Sequence, residues 1–184
     1  MDTHYINEVL KGNTHAFGYL IRTYQNKTFG IAISIVKNDE DAKDVVQESF
    51  ITAYASLSSF RNDAKFSTWL YRIVVNKALQ FLKRQKRKEE VSQEIAITEN
   101  DKTAYNSALE QLNHQDLKLL VKKVLSEIPP REALILQLFY LENQQISEIQ
   151  TITDFTKANI KVLLHRGRKS FYKKLKKDNI TKPY

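Results

Sequence analysis

Residues Phe60–Lys88 read FRNDAKFSTWLYRIVVNKALQFLKRQKRK and hold nine Lys or Arg against one Asp. That is a local charge of +8 in a chain whose formal total is also +8. A basic run of this kind is commonly just a solvated face, but its spacing points further. Ser67 or Thr68 can cap a helix start by accepting from free backbone N–H groups. Leu70, Ile73, Val74, Ala78 and Phe81 then recur at three- and four-residue steps, which places them on one helix face. A second stripe, Trp69, Arg72, Asn76, Gln80, Lys83 and Arg87, also runs at helical steps and interleaves an aromatic, two amides and cations. Cations bind phosphates, amides pair with base edges, and an aromatic can stack on an unpaired base. The preceding polar segment Ser58–Lys65, with Asn62-Asp63, reads as a loop.

Outward from this stretch, the chain of 184 residues suits one ordinary domain or two small ones. Only 4 Gly and 3 Pro argue for helices over turn-rich strands. With no cysteine, disulfide and thiolate chemistry are excluded, which fits a reducing compartment. No apolar run approaches the ~20 residues of a membrane span, and the N-terminus has no signal-like apolar core. A cytoplasmic protein is expected. Charge is unevenly placed: −2 over residues 1–60, +8 over 61–88, −7 over 89–155 and +9 over 156–184. Two basic blocks separated by an acidic-leaning span suit two contacts on an extended polyanion, and nucleic acid is the commonest large one.

Upstream, Ile6, Val9 and Leu10 form a short helix ended near Gly12-Asn13. Phe17, Leu20, Ile21, Tyr24, Phe29, Ile33 and Val36 continue the periodicity as core positions with no further role. Lys37-Asn38-Asp39 is a break. A third helix is expected from about Glu40 to Ser56, with Ala42, Val46, Phe50, Ala53 and Leu57 inward. Its other side gathers Asp41, Asp44, Gln47 and Glu48. Acids in a first helical turn complement the helix dipole, at ~0.3–1 kcal/mol, but Glu48 lies two turns in. An acidic patch would repel phosphates, so a protein-contact surface is the better reading.

Downstream, Glu89–Asn113 is polar and weakly periodic and reads as a linker, with some helix near Ala104–Leu112. Fully extended, it could span at most ~80–90 Å, so two units could sit well apart. From His114, Leu117, Leu120, Val121, Val124, Leu125 and Ile128 make an amphipathic helix stopped by Pro129-Pro130. Pro130 suits the first turn of the next helix, which buries Leu134, Leu138 and Leu141 with Ile135, Phe139 and Tyr140 alongside. That wide apolar surface faces either a partner or a tight helical core. A short helix, Gln145–Thr151, a turn at Ile152–Phe155 and a long helix capped by Thr156 follow. Ile160, Leu163, Leu164, Gly167, Phe171 and Leu175 face inward. Lys157, Lys161, His165, Arg168 and Tyr172 form the outward stripe, flanked by Arg166 and Lys169. This is the pattern of a helix-turn-helix, whose second helix enters the major groove. No Gly-rich phosphate loop, HExxH or clustered histidines occur, so no catalytic residue, metal ligand or cofactor is expected.

The assembled pieces resemble a bacterial RNA polymerase sigma factor of the extracytoplasmic-function (ECF) type. The resemblance rests on DAKDVVQESF at Asp41–Phe50, FRNDAKFSTWLYRIVVNKA at Phe60–Ala78, IPPRE at Ile128–Glu132 and IKVLLHRGR at Ile160–Arg168, in the right order. It implies an all-α protein of two small helical domains joined by a flexible linker. Residues 1–88 would form a region 2-like domain, 89–113 the linker and 114–184 a region 4-like helix-turn-helix domain. Asp41, Asp44, Gln47 and Glu48 would dock on the β′ clamp of core RNA polymerase. Arg61, Asn62, Trp69, Arg72, Asn76, Gln80 and Lys83 would meet the melted −10 element of promoter DNA. Thr156, Lys157, Asn159, Lys161, His165, Arg166 and Arg168 would read the −35 major groove, with this domain on the β flap. An anti-sigma factor, commonly membrane-anchored in that family, is a candidate partner, with no membrane insertion by the chain itself. Such a factor is not an enzyme. A stand-alone helix-turn-helix regulator is the alternative. Three positions depart from the family pattern: Asp154 stands where the tight turn usually has Gly, Gln150 where Ala is usual, and Leu163 where many members have Arg.

Overall fold

Periodicity at 3.6 residues with few breakers favours helices. The computed structural model describes the backbone of residues 1–92 and 114–177 and the side chains of 1–87 and 119–176. Eight α-helices are seen among them: α1 Asp2–Leu10, α2 Phe17–Val36, α3 Asp39–Ala55, α4 Phe66–Ser92, α5 His114–Glu127, α6 Pro130–Leu136, α7 Ile146–Thr153 and α8 Lys157–Lys177. The ends follow local chemistry. Gly12 takes φ +101° beyond α1, a conformation open to a residue without Cβ. Lys37 closes α2 in the left-handed region at φ 63°. Asn38 then caps α3, its Oδ1 accepting from the Glu40 and Asp41 N–H groups at 2.9 and 3.1 Å. Pro130 opens α6, as its missing N–H allows.

Helices α2, α3 and α4 pack on one another around Leu20, Ile31, Ile35, Ala42, Val45, Ala53, Leu70, Val74 and Ala78. A second set, α5 to α8, closes over Ile128, Leu134, Ile135, Leu138, Ile149, Ile152, Ile160 and Leu164. The inward residues expected of α3, α4 and α8 are buried or half-buried.

Four local readings need correction. Helix α4 begins at Phe66, and the Lys65 carbonyl accepts from the Trp69 N–H. Ser67 and Thr68 are therefore inside the helix, and the Thr68 hydroxyl is buried without a hydrogen-bond partner among the described residues. The same helix continues through Glu89–Ser92, the first residues of the expected linker, because no Gly or Pro interrupts it. The rest of that linker, and the helix expected near Ala104–Leu112, lie outside the described residues. Leu141 is 48% exposed, because the chain leaves α6 through a π-turn at Gln137–Leu141 that rotates it outward. Finally, α7 runs to Thr153, so the tight turn is confined to Asp154–Thr156.

The wide apolar face of α6 has a covering within the chain. One side packs on α8 and another on α2. Both approaches run over a glycine. A Cβ at Gly167 would stand 3.0 Å from Leu136 Cγ, and one at Gly30 would stand 2.5 Å from the Gln137 amide nitrogen. The two helical sets thus lie against each other, and α4 also touches α7.

Candidate nucleic-acid and polymerase interfaces

On α3, Asp44, Gln47 and Glu48 are exposed and Asp41 is half-buried. Burial, and then the charge of Asp44, push the Asp41 carboxyl above its ordinary range. Glu48 is not idle, however. Its carboxylate lies 3.7 Å from Lys77 Nζ and 3.9 Å from Arg84 of α4. A structural pairing therefore accounts for an acid that the helix dipole does not explain. Beside the acids, α2 and α3 leave an open groove of about 760 Å³. Phe17, Ile21, Phe29, Val46, Phe50 and Ile51 supply its apolar lining, and Gln25, Lys43 and Gln47 are polar residues in it. Residues Phe17, Ile21 and Phe29, read from sequence as plain core, line this groove. Ile51, 62% exposed, was missed altogether. The available signal was its place off the Ala42/Val46/Phe50/Ala53 face, on the Gln47 side.

On α4, Arg72, Asn76, Gln80, Lys83 and Arg87 are exposed along one stripe, with Arg61 and Asn62 in the loop before it. Asn62 holds the left-handed region at φ 59°, which asparagine tolerates better than most residues. Trp69 is half-buried. Its ring sits 5.3 Å from Phe60 and 5.6 Å from Phe66, so part of its surface anchors the loop to the helix.

The second set forms a true helix-turn-helix. Asp154 ends α7 at φ 57°, and Thr156 Oγ1 accepts from the Asn159 N–H to start α8. Lys157, Asn159, Lys161, His165 and Arg166 are exposed on α8. Val162, 47% exposed among them, was missed. It offers an apolar contact of the kind that meets a thymine methyl. Arg168 is exposed but held: its Nε donates to the Tyr140 hydroxyl at 2.7 Å, and its guanidinium lies 5.6 Å from that ring. Its charge is therefore partly engaged within the chain, by Tyr140. Leu163 is buried, as a core position must be.

Comparison with known proteins agrees with this geometry. Residues 20–88 match the model for sigma-70 region 2, and residues 118–171 that for sigma-70 region 4. The ECF RNA polymerase sigma-E factor of Escherichia coli K12 is 32% identical over 177 residues, covering 92% of each chain. This chain belongs to the ECF sigma factors. SigW of Bacillus subtilis is 28% identical over 178 residues, covering 93% of this chain and 95% of its own. Two solved structures share the fold. The sigma factor RpoE of Bartonella quintana, in complex with the anti-sigma factor NepR, has a TM-score of 0.70 at 21% identity, covering 87% of this chain and 96% of its own. CnrH, in complex with the cytosolic domain of CnrY, has 0.64 at 20%, covering 95% and 96%. The chain therefore directs promoter-specific transcription initiation by RNA polymerase. A stand-alone regulator is disfavoured, since the region 2 match accounts for the half that reading leaves unexplained. Among the described residues of this sigma factor, no helix is long and apolar enough to cross a membrane.

The α4 stripe and the helix-turn-helix of the factor meet each other. Arg72 Nη2 donates to both carboxylate oxygens of Asp154 at 3.0 Å, and its Nη1 donates to the Thr151 carbonyl at 3.0 Å. Lys65 Nζ pairs with Glu148 at 2.8 Å. Burial raises the Glu148 carboxyl, but the Lys65 bond and charge and the Gln145 N–H outweigh it and hold the group below its usual range. Tyr71, fully buried in α4, donates to Glu142 at 3.0 Å, and burial holds its hydroxyl protonated. Lys37 Nζ donates to the Leu125 carbonyl at 2.7 Å, and burial lowers its pKa to about 8.

Proposed function

We propose that residues 1–88 dock on the polymerase clamp and hold the melted −10 element, and that residues 114–184 sit on the flap and read the −35 element. The clamp contact uses Asp41, Asp44 and Gln47 with the α2–α3 groove, while Glu48 contributes partly through its hold on α4. Arg61, Asn62, Arg72, Asn76, Gln80 and Lys83 line the path of the single strand, and half-buried Trp69 supports the loop beside them. Thr156, Lys157, Asn159, Lys161, His165, Arg166 and Arg168 face the upstream duplex. The factor works without catalysis, in the cytoplasm, and an anti-sigma factor is its proposed antagonist, as the two complexed neighbours suggest.

The observation that carries this reading is a single one. A basic, amide-bearing helix face and a helix-turn-helix occur in one chain with an acidic, apolar-grooved helix that duplex DNA would repel. The test is holoenzyme binding to promoters varied only in the upstream element, across a salt series. Lys157→Ala or Lys161→Ala, near the α8 N-terminus, should relax preference at one base pair, a loss of ~1–3 kcal/mol. Arg168→Ala, three turns along, should weaken all sequences about equally and lower the salt slope by about one unit. Wild-type affinity and preference in all three would remove α8 as the reader.

A further inference from the structure

We propose that Val162, with Ala158 one turn before it, reads the C5-methyl group of a thymine in the upstream element, so that this factor selects promoters partly by an apolar contact on the floor of the major groove. This deepens the functional reading above, which places α8 in that groove, and rests on it.

The buried side of α8 fixes the centre of its outward face. Ile160, Leu163, Leu164 and Gly167 are buried. At about 100° per residue, the direction opposite their mean falls among Ala158, Val162, His165 and Lys169, each within about 30° of it. All four are exposed. Lys161 and Arg166, also exposed, stand about 70° to either side of that centre. Of the central four, Ala158 and Val162 lie in the first two turns of α8, the end of a recognition helix that contacts base edges.

A helix about 10–12 Å across fills a major groove about 12 Å wide. Its central side chains then meet base edges, and its flanks meet the two phosphate walls. Cations on the flanks suit the walls. Short apolar side chains at the centre let the helix axis approach the floor, where the apolar group that a base pair projects is the thymine methyl. A lone exposed valine is ordinary in itself. This one is 47% exposed, continues a line from Ala158 and stands between two cations. It is also β-branched, which makes it a poor choice for an exposed helix position on propensity alone. Its neighbour Leu163 is buried and brings no polar group to the face.

The test starts from promoters selected by the holoenzyme, core polymerase with the full-length factor, out of a pool randomised in the upstream element. Selected elements should hold a thymine, on either strand, at a fixed position. Each such thymine is then replaced singly by deoxyuridine, which removes the methyl and keeps every hydrogen-bonding group. One replacement should weaken wild-type binding about fourfold, the effect of one buried methyl. Cytosine at that position should bind more weakly still, and 5-methylcytosine should recover about fourfold over it. Val162→Ser should bind the thymine and uracil promoters equally, with the affinity of the wild type for the uracil promoter; a folding defect would weaken both. Absence of a fixed thymine, equal wild-type binding of thymine and uracil, or a uracil penalty that persists in Val162→Ser each overturns the proposal. Weaker binding of Val162→Ser to core polymerase without DNA would assign the valine to the polymerase and overturn it too. A wild-type holoenzyme indifferent to the whole upstream element would remove the functional reading as well; with that preference intact, only the role of the valine falls.

Discussion

Gly30→Ala sets two forces of known sign against each other. Within α2, alanine is preferred over glycine by about 0.8–1.0 kcal/mol, because less backbone entropy is lost. Against that, the new Cβ would stand 2.5 Å from the Gln137 amide nitrogen and 3.2 Å from its Cδ. Gln137 is only 6% exposed, and its amide donates to Glu142 Oε1 at 3.0 Å. The amide must move, and a bond to a charged acceptor contributes about 1.5–3 kcal/mol. The net expectation is a loss of roughly 0.5–2 kcal/mol. In a Gln137→Ala background the obstruction is gone, and the same substitution should stabilise by about 1 kcal/mol. Denaturant unfolding of the four full-length proteins gives the coupling directly, expected at about 1.5–3 kcal/mol. A coupling near zero would show that α2 and the Gln137 turn are not in contact in solution, and would undo the packing of α6 on α2 with it.

Asp44→Lys should weaken core polymerase binding with unchanged thermal stability, whereas Glu48→Lys should also lower stability by about 1 kcal/mol by repelling Lys77 and Arg84; a melting curve beside each binding isotherm separates the two. Lys37 has a depressed pKa of about 8 in the folded chain against 10.5 unfolded. The unfolded state therefore binds more protons between those values, and stability should rise with pH from about 8. The rise should turn over near pH 10, where unfolded tyrosines ionise while Tyr24 and Tyr71 stay protonated. Lys37→Asn, which tolerates the left-handed position, should flatten the rise, and urea midpoints across pH would show it. Gly167→Val drives a branched side chain against Leu136 and the Glu132 carbonyl; overpacking of about 1–3 kcal/mol should lower Tm by roughly 3–10 °C.

Much of the fold was legible because helical signals are local. The α4 stripe, the α3 acids, the Pro130 start and the α8 faces all follow from side chains within a few turns of each other. Helix starts were less legible. Phe66 begins α4 from an unremarkable Lys65, since burial of Phe66 and Trp69 against Phe60 outweighs the better capping chemistry of Ser67 and Thr68. The α2–α3 groove was invisible for a related reason. Periodicity marks an apolar face but not whether a neighbouring helix fully covers it, and here Phe17, Ile21 and Phe29 line an open groove.

By itself, then, the sequence determined the helices, the order of the two helical sets, the charge segregation and the kind of partner each face suits. Only tertiary structure decided which charges are already spent. Arg72 and Asp154 are 82 residues apart, Arg168 and Tyr140 28 apart, and Glu48 meets cations of a different helix. Each pairing depends on how two helices cross, and that crossing is set by close-packing of many side chains at once, at Gly30 and Gly167 above all. Local periodicity holds no record of that geometry, so the same exposed arginine reads from sequence as a free DNA contact and is in the folded chain already paired with Asp154.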